Sequence, residues 1–344
     1  MTLNPQPRRA THLLAKMSVA MIVVAAGQWT IHWASGSSGI PPEIIALDRY
    51  LEDGTDIVYF GDSTVVEFVS GDTDERGLAQ MVTDALPSKR VATLAHYAYP
   101  PEVFAAYATV LTDAPQPPKT VILPINLRCF SPSWYRRPDW QFEKEKFLLR
   151  NHNAFARAVL RPLVVFGYLD LVPISPSEYE STPVVFGESA AGTVSDYQQV
   201  LPRPGDDSSY SAHFMFEYGY SLSEDHPQLV ALSDAVKQLR SAGIETISYV
   251  TPIDFERGEA VVGAAFATRV RENVETLQRV LTRAGSAPYD WSRRMDSDAF
   301  DYGVRIQEHL DETARTEIKD SLVELLSSEP NSDPGQRPAS RDLP

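Results

Sequence analysis

A serine, an asparagine and a histidine each stand beside an apolar run in this chain of 344 residues, in an order that acyl chemistry can use. Ser63 follows Ile57-Val58-Tyr59-Phe60 and the turn Gly61-Asp62. Asn126 follows the apolar segment 120–125, and His309 precedes a segment carrying Ile318, Leu322 and Leu325 at helical spacing. A serine hydroxyl attacks poorly until a base takes its proton, and the carbonyl oxygen it attacks needs hydrogen-bond donors as it becomes an oxyanion. Histidine is a suitable base, while an asparagine amide and backbone N–H groups are suitable donors. Taken singly, each is a common turn or cap residue. The ordered set at successive strand ends is the informative signal.

Those residues need elements to hold them. β-Branched and aromatic residues predict strands over 56–60, 90–95, 120–125 and 244–250, with a short last strand at 288–291. Helical spacing predicts helices over 43–51, 78–86, 103–111, 229–239 and 266–284, and a last one opening at Glu308-His309. Strands alternating with helices imply a parallel sheet covered on both faces. In such a sheet the carboxyl ends of the strands lie along one edge, so Ser63, the backbone near Ala98 after the second strand, Asn126 and His309 can converge there. The stretch 130–222 breaks the pattern, apart from a helix expected over 144–165. It is either a surface insertion or a lid and substrate platform. Within it, Arg136 and Arg137 near Trp134 and Trp140 offer a saccharide-stacking, anion-holding surface, or are simply exposed loop residues.

The ends of the chain set its compartment and partners. Arg8, Arg9 and Lys16 precede an uncharged run over 17–34, about 27 Å long as a helix and close to a bilayer's hydrocarbon thickness. Positive residues before such a run place the remainder outside the cytoplasm. The favoured reading is a single-pass membrane anchor with an extracytoplasmic domain; the alternative is a cleaved signal peptide and a secreted or periplasmic product. A linker, 35–42, leads into a domain over 43–326, and a tail over 327–344 has the composition of disorder. Net charge is −15, which disfavours a nucleic-acid partner. Cys129 is the only cysteine, so no disulfide, Cys-based zinc site or CxxC pair can form within the chain. His96, His152, His213 and His226 lack metal-ligand spacing, and no glycine-rich phosphate loop is present, so neither metal nor cofactor is expected.

Over about 56–326 the sequence resembles the SGNH/GDSL hydrolase superfamily, in particular an exported branch similar to alginate O-acetyltransferase proteins. Gly61-Asp62-Ser63 matches the block that carries the nucleophilic serine. Ala98, in Leu94-Ala95-His96-Tyr97-Ala98-Tyr99-Pro100, stands where the family places an oxyanion-hole glycine. Pro124-Ile125-Asn126-Leu127 falls on the Gly-x-Asn-Asp block and keeps its asparagine, and His309 falls on the catalytic histidine. The resemblance implies a three-layer α/β/α, flavodoxin-like fold with a parallel sheet and the 130–222 insertion. It also implies Ser63 as nucleophile, His309 as base, and an oxyanion hole from Ser63, Ala98 and Asn126. The family's acid three residues before the histidine is replaced by Ile306, which leaves Glu308 or Asp301 to orient the imidazole, or a Ser–His pair without an acid.

The implied activity is that of an exported serine esterase or O-acyltransferase acting on an acylated carbohydrate, an envelope polymer or a small ester. A membrane-bound acyl donor is a further implied partner. The departures at Ala98, Leu127 and Ile306 equally suit a membrane-anchored binding or assembly protein that keeps the fold with weak or no catalysis.

Overall fold

The computed structural model of the chain describes residues 16–27, 29–30, 40–153, 156, 173–186, 189–198, 203, 205–300 and 308–327. In chain order its strands are β1 (Ile57–Gly61), β2 (Val91–Ala95), β3 (Thr120–Ile125), β4 (Pro183–Phe186), β5 (Ser189–Thr193), β6 (Glu245–Val250) and β7 (Tyr289–Asp290). Five of them form a parallel sheet in the order β2-β1-β3-β6-β7, and β4 and β5 form a separate antiparallel hairpin. Counted within the sheet this is 2-1-3-4-5, the doubly wound flavodoxin-like order. The connections leave β1 and β3 in opposite directions. A crevice therefore opens at their carboxyl ends, where Gly61 and Ile125 stand.

Alternation along the strands sorts side chains onto two faces. Val58 and Phe60 of β1 and Val121, Leu123 and Ile125 of β3 face one core, with the helices Pro42–Asp53, Pro101–Thr112, Pro227–Ser241 and Ala264–Ala284. Ile57, Tyr59, Ile122, Ile247 and Tyr249 face the other, with the helices Leu78–Ala85 and Glu312–Ser327. The fold is thus three-layered, α/β/α. Burial on both faces explains why β1 and β3 read as continuous apolar runs rather than alternating ones.

The amphipathic stripes expected from spacing are the buried ones: Leu229, Leu232, Val236 and Leu239 on one helix, and Phe266, Val270, Val274, Leu277 and Leu281 on the next. The last strand shrinks to the two residues of β7. The helix expected over 144–165 is observed as Glu143–Arg150, ending at Asn151, and much of the remainder lies outside the described residues. The irregular stretch after it is more ordered than its composition suggests. Its helix Asp207–Tyr218 sends Tyr210, Phe214 and Tyr218 into the larger core. At the N-terminus, residues 16–27 are helical with Met17, Val19, Met21, Ile22 and Val23 exposed. No helix among the described residues is long and apolar enough to cross a membrane; part of the expected 17–34 span, and the tail beyond Ser327, lie outside them.

Gly61 is required by close approach at the end of β1. A Cβ there would stand 2.0 Å from Val65 Cγ2 and 3.3 Å from Ala95 Cβ. Gly61→Ala is expected to destabilise the domain by roughly 1–3 kcal/mol through overpacking, read as a lower urea midpoint at unchanged slope.

Candidate active site

β1 delivers Ser63 through a capped turn. Asp62 is the N-cap of the short helix Ser63–Val66, its Oδ1 accepting from Thr64 N at 2.9 Å and Thr64 Oγ1 at 2.7 Å. Ser63 is the first helical residue and is buried, 7% exposed. Glu67 N–H donates to the Ser63 carbonyl at 2.9 Å and closes the turn, which brings Glu67 one helical turn from the serine.

After β2, the loop from His96 to Tyr99 is held to β1 by a hydrogen bond from His96 N–H to Gly61 O, 3.3 Å. Ala98 lies in this loop with φ of +65°, in the left-handed region that favours glycine. Its carbonyl accepts from the indole N–H of Trp134 at 3.3 Å. The alanine thus keeps a glycine-like backbone, at a cost of about 1–2 kcal/mol.

Asn126 ends β3 and caps the 3₁₀ turn Leu127–Phe130, Oδ1 accepting from Arg128 N–H at 2.9 Å. Its Nδ2 group donates to Asp62 Oδ2 at 2.9 Å and to Glu308 Oε2 at 3.1 Å. Both amide hydrogens therefore go to carboxylates. Asn126 is the tie between the ends of β1 and β3 and the start of the C-terminal segment.

Beneath this tie lies a buried ionic cluster. Arg128 Nη2 stands 2.5 Å from Glu308 Oε1, and its guanidinium carbon lies 3.7 Å from the Trp134 ring centroid. Tyr218 O–H donates to Glu308 Oε2 at 3.3 Å, and Ser133 O–H donates to Glu217 Oε2 at 3.0 Å. Arg128, Glu308, Glu217 and Asp62 are each 7% exposed or less. Nε and Nη1 of Arg128 and Nε2 of His213 have no hydrogen-bond partner among the described residues. Burial opposes the charge on Arg128, but Glu308, Glu217 and Asp62 outweigh it and hold its pKa above the ordinary value. Burial pushes Glu308 up to about 7, with Asp62 and Glu217 adding to the rise and Arg128 working against it. Glu217 is raised by burial as well, against the pull of Arg128 and its bond from Ser133. His213 is lowered to about 4, first by burial and then by the Arg128 charge.

His309 is placed by the terminal helix. Arg315, 1% exposed, reaches back to Asp72 Oδ2 at 2.6 Å, Leu310 O at 2.8 Å and Asp74 O at 2.7 Å. Glu312 Oε2 accepts from Thr73 N–H at 2.9 Å and Asp74 N–H at 3.1 Å. These bonds clamp the loop that follows the serine helix onto the helix that follows the histidine. His309 Nε2 lies 3.1 Å from Glu67 Oε2 within that clamp, an ion-pair contact rather than an aligned hydrogen bond.

The acid beside the imidazole is therefore Glu67. Glu308, the expected orienting residue, spends its carboxylate on Arg128, Asn126 and Tyr218; Ile306 and Asp301 lie outside the described residues. Sequence reasoning passed over Glu67, Arg128 and Glu217. The available signals were Glu67 four residues after the serine and Arg128 as the charge inside Leu127-Arg128-Cys129-Phe130. Trp134 is no exposed stacking surface: it is 2% exposed, covers Arg128, and has Trp140 at 4.2 Å between ring centroids. Trp140 is in turn covered by Arg137, at 4.1 Å. Cys129 is buried, and burial pushes its thiol well above the ordinary range, as for an inert core residue. Among the described residues no group of three or more His, Cys, Asp or Glu side chains is arranged to hold a metal ion.

No family model matches the chain, and a search of curated proteins finds no match. Among solved structures, the chain is similar to a mutant of an acetyl-xylooligosaccharide esterase from Geobacillus stearmophilus, with a TM-score of 0.38 and 10% identity. That match covers 81% of this chain and 97% of the esterase. The fold itself is read from the strand order and the three layers.

Two outcomes are expected. Ala98→Gly should stabilise the domain by about 1 kcal/mol, because relief of the left-handed strain exceeds the added freedom of the unfolded chain. A carboxyl raised in the folded state binds its proton more tightly there, so Glu308 contributes stability that is complete below about 4.5 and lost as pH rises through about 7. Relative to Glu308→Gln, the wild type should therefore lose on the order of 3 kcal/mol across that window, measured by denaturant unfolding at each pH.

Proposed function

We propose that the chain is a serine esterase or O-acyltransferase acting on an acylated carbohydrate, an envelope polymer or a small ester. What supports this reading is that Ser63, the left-handed Ala98 and Asn126 follow β1, β2 and β3 along one sheet edge, and that His309 lies 3.1 Å from Glu67 at the end of the turn that begins at Ser63. In this reading Ser63 Oγ attacks the acyl carbonyl carbon and its proton passes to His309. The oxyanion is held by the N–H groups of Ser63 and Ala98 and by the Asn126 amide. Collapse expels an alkoxide, which takes the proton from the imidazolium and leaves an acyl-Ser63 ester. Water then completes hydrolysis, or a sugar hydroxyl completes transfer. Glu67 at Nε2 favours the tautomer with its proton on that nitrogen and the basic lone pair on Nδ1.

The N-terminal segment belongs to the same proposal. A helix with Met17, Val19, Met21, Ile22 and Val23 exposed, preceded in sequence by Arg8 and Arg9, suits an anchor or export signal that places the domain outside the cytoplasm. A membrane-bound acyl donor would then be close at hand.

One observation favours a second reading, a domain that binds carbohydrate or assembles with partners and turns over weakly or not at all: both Nδ2 hydrogens of Asn126 are held by carboxylates. Labelling with a fluorophosphonate, together with p-nitrophenyl acetate turnover, separates the two. The enzyme reading expects labelling of wild type and none of Ser63→Ala, and a fall in turnover of about 10²-fold or more in His309→Ala. Equal labelling of wild type and Ser63→Ala would reject Ser63 as nucleophile. Carbohydrate binding that survives both substitutions, without turnover, would support the binder.

A further inference from the structure

The described geometry contains a contradiction for acyl chemistry. The side-chain amide best placed to meet an oxyanion at the switch point already gives one hydrogen to Asp62 and the other to Glu308. The two acceptors are not equivalent. Asp62 Oδ1 caps the serine helix through Thr64, so the Asp62 bond belongs to the turn that presents Ser63. Glu308 reaches the amide from the opposite side, held by Arg128 at Oε1 and by the Tyr218 hydroxyl at Oε2, the same oxygen that takes the amide hydrogen. The Asn126 bond to Asp62 is made at Oδ2 of the residue whose Oδ1 caps that turn, so it ties the amide to the nucleophile's turn. Releasing the Glu308 bond would leave that turn intact.

We infer that Glu308 is a positioning residue, a proton-operated latch on the Asn126 amide: as a carboxylate it holds one Nδ2 hydrogen, and as a neutral acid it yields that hydrogen to an acyl oxygen at Ser63. The step is a proton uptake alone. One proton from solvent is bound by the Glu308 carboxylate, no heavy-atom bond changes, and the Asn126 N–H exchanges an anionic acceptor for the developing oxyanion. Charge-assisted hydrogen bonds are roughly twice as strong as neutral ones, so a neutral Glu308 competes for the amide much less well. Tyr218 bonds to the oxygen that takes the amide, and Arg128 stays charged beside it in either state.

The charged and titratable groups facing Glu308 come from every element packed round it. Asp62 stands after β1, and Asn126 and Arg128 stand after β3. Glu217, Tyr218 and His213 come from the helix Asp207–Tyr218. Burial and the two neighbouring carboxylates raise the proton affinity of Glu308, and Arg128 limits the rise, so the group titrates at about 7. The latch thus opens and closes within the physiological range.

This inference rests on the proposed acyl chemistry for its purpose, but its first test does not. Selective ¹⁵N-asparagine labelling of the full chain follows the Asn126 side-chain amide through a titration from about pH 5.5 to about pH 8.5. The latch expects that resonance pair to move with a midpoint near 7 in wild type and to stay fixed in Glu308→Gln. An amide that does not move in wild type overturns the latch, whether or not the chain is an enzyme and whether or not the variant folds. The second test is the rate of fluorophosphonate capture by Ser63 over the same range. Wild type should lose about ten-fold between pH 6.5 and pH 8.5, and Glu308→Gln should lack that alkaline limb. An identical limb in both proteins also overturns the latch. A moving amide in a chain whose Ser63 is never labelled retains the latch and rejects the nucleophile.

Discussion

Three carboxyl groups, Asp62, Glu217 and Glu308, are buried round a single guanidinium, Arg128, and the arrangement at the sheet edge follows from satisfying them. Full ionisation of all three against one cation in a dry interior is costly, so the cluster relieves itself in three ways. Arg128 remains charged and lies between Glu308 and the face of Trp134. Asn126 donates to Asp62 and Glu308 at once, bridging two like charges with one neutral amide. Burial raises the proton affinity of Glu308 and Glu217, so that not every carboxyl need be ionised at neutral pH. The same devices fix the Asn126 amide against Asp62, the cap of the turn that begins at Ser63.

This dependence assigns a role to the stretch between residues 130 and 222. Ser133, Trp134, Glu217, Tyr218 and His213 all come from it, and all are buried against Arg128 or the groups that Arg128 serves. Tyr179 extends the same wall, its hydroxyl donating to Ser133 O at 2.6 Å. The stretch does not merely hang over the crevice as a surface excursion. It supplies the low-dielectric cover without which Glu308 would be solvated and Arg128 would be an ordinary surface charge.

The sheet and its helices were legible in the sequence because each strand is buried on both faces and each covering helix on one. Runs such as Val121-Ile122-Leu123 and stripes such as Leu229, Leu232 and Val236 report those environments directly. The places of Ser63 and Asn126 at strand ends were legible for a related reason: Asn126 is the first polar residue after its run, and Ser63 follows Asp62, the first after its own. The partners were not. Glu67 and His309 are distant in sequence and meet where Arg315 and Glu312 fasten one loop to the terminal helix. Arg128 lies in an apolar setting where pattern alone cannot tell a snorkelling surface charge from a buried one. Glu308 was singled out because it adjoins the histidine. Its carboxylate faces Arg128 and Asn126, whereas His309 Nε2 faces Glu67.

Stability alone is a weak reason for this cluster to exist. Replacing a buried ionic group by apolar residues of similar volume is often neutral or stabilising, whereas removing one partner from it costs about 3–5 kcal/mol. The strained Ala98 is a second local cost at the same sheet edge, about 1–2 kcal/mol. Two such costs, one electrostatic and one conformational, stand at the sheet edge that carries Ser63, just beyond the buried strand residues Phe60, Leu94 and Ile125. What they have in common is position. Each fixes a hydrogen-bond donor at the carboxyl end of a strand beside the switch point: the backbone N–H of Ala98 after β2 and the amide of Asn126 after β3. Donors oriented round one serine at conformational and electrostatic cost are what the proposed acyl chemistry asks of this edge, because in that proposal charge develops on a bound acyl group.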